Sequence, residues 1–320
     1  MAMKLITRSS IAALFLLSVL AAGCASGTEK AAPAPPVQAA SVASDALPAE
    51  STGGFDGARA FAHVEKLVAI GSRQSGSPGI RLAQDYIRTQ LKLFGCSVEE
   101  DTFESSTPVG RIPMKNIVAK IPGASPNVVL LLTHYDTLRK ADFVGANDSG
   151  SSTGLMLEMA RQLCGKKGVV SVWIAFLDGE EALVEWTDLD STYGSRQMST
   201  RLSLSNELKS VKAVILADMI GDRDLAIKRE SQSTTWLTDL VWKTAKRLGY
   251  EKHFVSETQS ISDDHIPFLK RGVPAVDLID YDYPPWHTPG DTLDKVSARS
   301  LGVVGHVILE SVKELEKKFR

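Results

Sequence analysis

Val128-Val129-Leu130-Leu131-Leu132-Thr133, followed at once by His134-Tyr135-Asp136, is the stretch on which the fold turns. The run is uncharged and almost wholly apolar, as a strand covered on both faces must be. Val169–Leu177, Val211–Ala217 and Ala275–Ile279 read the same way, and Asn116–Ile121 is a further strand. Helical patterns lie between and around them. Asp56 caps a helix with Phe61, Val64, Leu67 and Val68 on one face, and Ser77-Pro78 opens another that Gly95 closes. Ser151–Cys164, Thr234–Leu248, Asp264–Lys270 and Ser297–Lys318 read as helices. Strands alternating with helices predict a three-layer α/β sandwich: a central, mostly parallel mixed sheet with helices on both faces. Ligands on such a sheet bind beyond the carboxyl ends of its strands.

Working outward, the 320 residues hold 36 Lys+Arg against 38 Asp+Glu, with 43% hydrophobic residues. That balance excludes a disordered or polytopic membrane chain and gives no basic excess for nucleic acid. Lys4 and Arg8 precede an apolar run, Ile11–Ala22, which is short for a membrane span and suits an export signal. Ala21-Ala22-Gly23-Cys24 resembles a bacterial lipoprotein signal. It implies a signal peptide over 1–23, a lipid anchor on Cys24, and an extracytoplasmic, membrane-tethered protein, otherwise a secreted one. Residues 24–54, rich in Ala, Pro and Ser, read as a flexible tether, and 55–320 as one catalytic domain. Cys96 and Cys164 read as small buried apolar residues, with a disulfide between them left open.

The predicted strand ends collect the chemistry. His134 and Asp136 follow one strand, Asp178-Gly179-Glu180-Glu181 another, Asp218 a third, and His287 lies in the loop after the last. Asp148 sits in Gly145-Ala146-Asn147-Asp148-Ser149-Gly150, the turn before a helix. Taken singly, each has a plain explanation as a cap or a solvated loop residue. Together they put imidazoles and carboxylates, without thiolate, at one rim of the sheet, a donor set that suits zinc. One of two adjacent glutamates can bind a metal while the other handles protons, and Asp136 can hold the His134 imidazole in one tautomer. His63, His253 and His306 lack such a context.

These motifs, with Ala217-Asp218-Met219 and His287-Thr288-Pro289-Gly290-Asp291-Thr292, resemble the zinc exopeptidase superfamily of co-catalytic aminopeptidases. Asp178–Arg196 (DGEEALVEWTDLDSTYGSR), Ser262–Pro274 (SDDHIPFLKRGVP) and Trp286 before His287 are similar, more narrowly, to the animal-type glutaminyl-peptide cyclotransferases. The resemblance implies one zinc held by Asp148, Glu181 and His287, with Glu180 as acid/base and Asp218 and Asp263 as a hydrogen-bonded carboxylate pair beside it. Trp186 and Trp286 would wall the substrate pocket, with Tyr283 at its mouth. His134, Asp136 and His265 would support these residues or complete a second metal site. The implied reaction converts the N-terminal Gln of a peptide or protein to pyroglutamate with loss of ammonia. The alternative is a two-zinc aminopeptidase, with His134 and Asp218 completing the second site. A peptide-binding lipoprotein without activity would be expected to have lost a ligand, and none is missing.

Overall fold

The computed structural model describes residues 45–320; the signal sequence, Cys24 and most of the proposed tether lie outside them. The folded body already includes the described residues ahead of Phe55. Asp45 accepts from Ser297 Oγ at 2.7 Å and Ala298 N at 3.1 Å, Ala46 and Leu47 pack on the core, and Thr52 is buried. Residues 45–54 thus lie against the folded body and are not tether; their low apolar content hid this, because their anchoring is largely by hydrogen bonds.

The central sheet has six strands: β1 Ser97–Thr107, β2 Gly110–Ile121, β3 Val128–His134, β4 Ser171–Leu177, β5 Val211–Asp218 and, after a two-stranded excursion (β6 Ile227–Glu230, β7 Phe254–Gln259), β8 Ala275–Ile279. Their spatial order is β1-β2-β4-β3-β5-β8. β4, β3, β5 and β8 run parallel, while β1 and β2 form an antiparallel flank. Among the described residues seven α-helices complete it: α1 Gly57–Ile70, α2 Pro78–Leu93, α3 Ser152–Leu163, α4 Tyr193–Leu204, α5 Thr235–Arg247, α6 Ile266–Leu269 and α7 Ala298–Phe319.

Side-chain alternation along the strands divides the core in two. Val129, Leu131, Ile174, Ala213 and Ile215 face helices α1, α3, α5 and α7. Leu130, Leu132, Ala175, Val214 and Leu216 face Met198 and Leu202 of α4 and Phe268 of α6. The expected three-layer sandwich is therefore what forms. Asp56 accepts from the amides of Ala58 and Arg59 and Ser77 from that of Ile80, so both expected helix caps act as such. Cys96, before β1, and Cys164, at the end of α3, form a disulfide with Cα atoms 5.2 Å apart. They are not free apolar residues; the disulfide closes a path 68 residues long, a proximity invisible in spacing alone.

Candidate active site

Four parallel strands put four carboxyl ends at one rim, and the loops leaving them carry the polar residues. His134 ends β3 and is 1% exposed. Its Nε2 lies 3.0 Å from Asp218 Oδ1, at the end of β5, and 3.3 Å from Asp148 Oδ1. The other oxygen of Asp148 is 3.3 Å from His287 Nε2, which is 3.4 Å from Glu181 Oε2. Asp148 therefore stands between two triads, His134–Asp148–Asp218 and Asp148–Glu181–His287, in each of which the donor atoms lie within 4.8 Å of one another.

Local backbone chemistry aims these groups. Gly145 takes φ +55°, and a Cβ there would meet Asp148 O at 2.0 Å, so the turn presenting Asp148 requires glycine. Asp291 caps the same turn, accepting from Asn147 N (2.8 Å) and Asp148 N (3.0 Å), and is itself held by Tyr283 Oη at 2.8 Å. Gly179, at φ +74°, reverses the chain between Asp178 and the glutamate pair. Asp136 accepts from the amides of Glu180 (3.2 Å) and Glu181 (3.3 Å). Its oxygen is 3.5 Å from His134 Nδ1, so its chief role is to fix the glutamate loop, with the imidazole a weaker contact. Beneath the site, Arg73 is fully buried. Its guanidinium donates to the carbonyls of Tyr135, Leu67, Gly71, Val144 and Gly145 at 2.7–3.3 Å, tying the loops that carry Asp136 and Asp148.

The charges are unbalanced. Burial pushes the Glu180 carboxyl well above its usual range, and Asp263, Glu181 and Asp264 add to the rise against His134. Burial and the neighbouring Asp148 push Glu181 up to about 7, and burial and Asp218 push Asp263 up to about 6. Burial disfavours protonated His287, but hydrogen bonds to Asp148 and Glu181 outweigh it and push it up to about 10. Glu181 Oε1 is buried with no hydrogen-bond partner. A buried excess of carboxylate oxygens, two imidazoles and an unpartnered oxygen fit a divalent cation, and the N/O donor set fits zinc.

Over these residues opens a cavity of about 580 Å³. Glu180, Asp218 and Asp263 lie on its wall with Trp186, Trp286, Ile261 and Leu138. Trp286 stacks on the His287 ring at 4.1 Å. Three expectations fail here. Tyr283 is 3% exposed and does not line the cavity; Tyr281 does, tilted against Trp286 at 4.7 Å. The two tyrosines are two positions apart and share one apolar cluster, but Tyr283 is buried with its hydroxyl on Asp291 while Tyr281 reaches the cavity. His265 is fully buried away from both triads, its Nε2 3.2 Å from Glu230 Oε2 and its Nδ1 3.9 Å from Asp277, and so offers no metal ligand. No hydrogen bond joins Asp218 to Asp263 among the described residues. Asp218 is engaged by His134, while Asp263 Oδ1 takes the Asp264 amide and its Oδ2 is buried without a partner. Asp190 and Asp291 lie within the quoted DGEEALVEWTDLDSTYGSR and HTPGDT runs without a role of their own there, and nothing local marks Tyr281 or Arg73.

A metal-binding set at the carboxyl rim of a doubly covered sheet, beneath a small apolar-walled cavity, defines an enzyme of the zinc exopeptidase superfamily. The chain belongs to peptidase family M28, whose model matches residues 116–312. Within that family it is 31% identical over 283 residues to the glutaminyl-peptide cyclotransferase of Boiga irregularis, covering 76% of this chain and 77% of that one. The crystal structure of an Acidobacteriales bacterium glutaminyl cyclase superposes with a TM-score of 0.79 at 39% identity, covering 82% of this chain and 96% of that one. A leucine aminopeptidase precursor from Bacteroides thetaiotaomicron superposes with a TM-score of 0.75 at 26% identity, covering 81% of this chain and 97% of that one.

Proposed function

We infer that this chain is a glutaminyl-peptide cyclotransferase acting on peptides and proteins that begin with glutamine. Beyond the kinship, the observation that carries the reading is Asp263. It lines the cavity with Glu180 and Asp218, where proton transfer is needed, and one of its carboxyl oxygens is buried without a partner. In the reaction the α-amino nitrogen attacks the γ-carboxamide carbon of the same glutamine. The new C–N bond closes the lactam ring, and the bond to the carboxamide nitrogen breaks. Glu180 takes the proton the amine loses and delivers it to the departing nitrogen, so ammonia leaves and protons balance. Because nucleophile and electrophile share one side chain, folding it into a bent conformer supplies much of the rate. Trp186, Trp286 and Tyr281 provide walls for that fold and exclude water. When bound by Asp148, Glu181 and His287, a zinc ion supplies Lewis-acid polarisation of the carboxamide.

We assign one zinc, with His134 used instead to engage Asp218 and Asp148. The complete His134–Asp148–Asp218 triad favours a second reading, a two-zinc aminopeptidase. Mass spectrometry of Gln-initiated peptides after incubation with the zinc-loaded enzyme separates them: ammonia loss at unchanged chain length supports the cyclotransferase, and release of free amino acids replaces it. We also propose export and lipid anchoring at Cys24. The Cys96–Cys164 disulfide supports this, since such bonds persist in oxidising compartments. Fatty-acid labelling of the cells, lost in Cys24→Ala, is the test; labelling of both forms, or of neither, rejects the anchor.

A further inference from the structure

Behind the active-site cavity, sharing its Ser262 and Asp263 wall, lies a second cleft of about 280 Å³ between α4 and α6. Three cations line it: Arg196, Lys270 and Arg271. The two guanidiniums are fixed by neutral acceptors. Arg196 donates to Ser191 O and Leu189 O, both at 3.1 Å, and lies 4.6 Å over the Tyr193 ring. Arg271 donates to Pro267 O at 3.1 Å and Thr200 Oγ1 at 2.6 Å. Neither has an ion-pair partner among the described residues, whereas Arg88, Arg111, Arg161 and Arg201 are each paired with a carboxylate. Lys270 pairs only with Asp188 at 3.2 Å, the two side chains being 62% and 84% exposed, a contact cheap to exchange. The remaining carboxylate on the wall, Asp263, is 2% exposed. The cleft therefore holds positive charge already oriented and not neutralised, one wall away from where the glutamine is folded.

We propose that this cleft is a subsite for an acidic side chain carried by the peptide close behind its terminal glutamine, with Arg196, Lys270 and Arg271 as the recognising cations. The proposal rests on the cyclotransferase reading. A carboxylate suits it because a guanidinium fork pairs with two oxygens at once, and because the side chains are already placed, little ordering entropy is lost on binding. An apolar or basic residue gains nothing there.

The experiment uses the zinc-loaded full chain and amidated peptides, Gln followed by alanines, with Glu or Gln at the second, third or fourth position. At low salt, Glu at one of these positions raises kcat/KM over its Gln counterpart by about fivefold, mostly through KM, as a partly exposed ion pair allows. Raising the ionic strength shrinks the ratio. Arg271→Gln and, separately, the exposed Lys270→Gln bring the ratio toward one. Equal kcat/KM for the two series at every position overturns the proposal, as does a ratio that survives both substitutions. Enhancement only by a free C-terminal carboxylate, tested on the non-amidated forms, also overturns it, since the cleft then reads chain ends. If the alanine peptide itself is not cyclised, the cyclotransferase reading falls and takes this one with it.

Discussion

Asp190 fixes the loop that carries Trp186, and its replacement by Asn isolates what that loop contributes. The carboxylate accepts from three consecutive amides, Leu183 (3.0 Å), Val184 (2.9 Å) and Glu185 (3.0 Å), and from Tyr193 Oη (2.8 Å). Burial disfavours its charge, but these donors prevail and hold it below the usual carboxylate range. Each oxygen takes two donors, so turning either into an amide NH2 sets donors against donors. Hydrogen bonds to a charged group contribute about 1.5–3 kcal/mol each. Val184 and Glu185 are exposed and Leu183 is buried, so water can serve two of the three freed amides, and we expect a net loss of about 1–2 kcal/mol in loop order. If the wall must be formed before the glutamine side chain folds, that loss appears as a KM raised about 5- to 30-fold in Asp190→Asn. The catalytic carboxylates are untouched, and kcat should stay within about threefold. Hydrogen exchange of the segment 183–185 gives a second, activity-free readout and should accelerate. Faster exchange with an unchanged KM would sink the idea that this loop is the substrate wall; unchanged exchange would show that Asp190 does not hold it.

Further outcomes follow from the same geometry. Glu180→Gln should lower turnover about 10²- to 10⁴-fold while the protein still retains zinc, as metal analysis of the purified variant will check. Metal analysis of the unmodified protein should find one zinc per chain, and stripping it with a chelator should abolish cyclisation and lower the melting temperature, both restored by zinc. Reducing Cys96–Cys164, or replacing both with serine, should cost about 2–5 kcal/mol in denaturant unfolding. His63, wedged by Tyr86 and Phe94, is pushed down to about 4, by burial first and by Arg161 and Arg59 next. The unfolded chain binds its proton more readily, so stability falls as pH drops from about 6.5 toward 4. His63→Leu should reduce that drop, measured as urea midpoints at the two ends of the window.

Legibility followed burial. The strands of the parallel core announce themselves because both their faces are covered, and that alone places the residues at their carboxyl ends on one rim. β1, Ser97–Thr107, escaped because it is a charged edge strand with one face in solvent. α4 escaped because its serines, threonine and arginines blur the apolar stripe. Asp264–Lys270, read as a helix, contracts to the single turn Ile266–Leu269. At the site, every expected zinc ligand and Glu180 converge, because strand register dictates where they lie. Tyr281 for Tyr283, the separate burial of His265, and the anchoring roles of Asp190 and Arg73 depend on how loops fold back. Hydrogen bonds between distant carbonyls and one side chain leave no periodic trace.

The Arg73 guanidinium divides the rim into a locked half and an editable half. Five carbonyls from three segments, the end of α1, the residue after β3 and the Val144-Gly145 turn, converge on it, so the spans bearing Asp136 and Asp148 cannot change length without unmaking the same fork. The loop 182–191 has no bond to it, whereas the segment after β8 holds the Asp148 turn through Asp291. Grafting onto the loop 182–191 is therefore where this frame can be re-purposed toward other peptide termini, with Asp148, the carboxylate proposed to hold zinc, left in register.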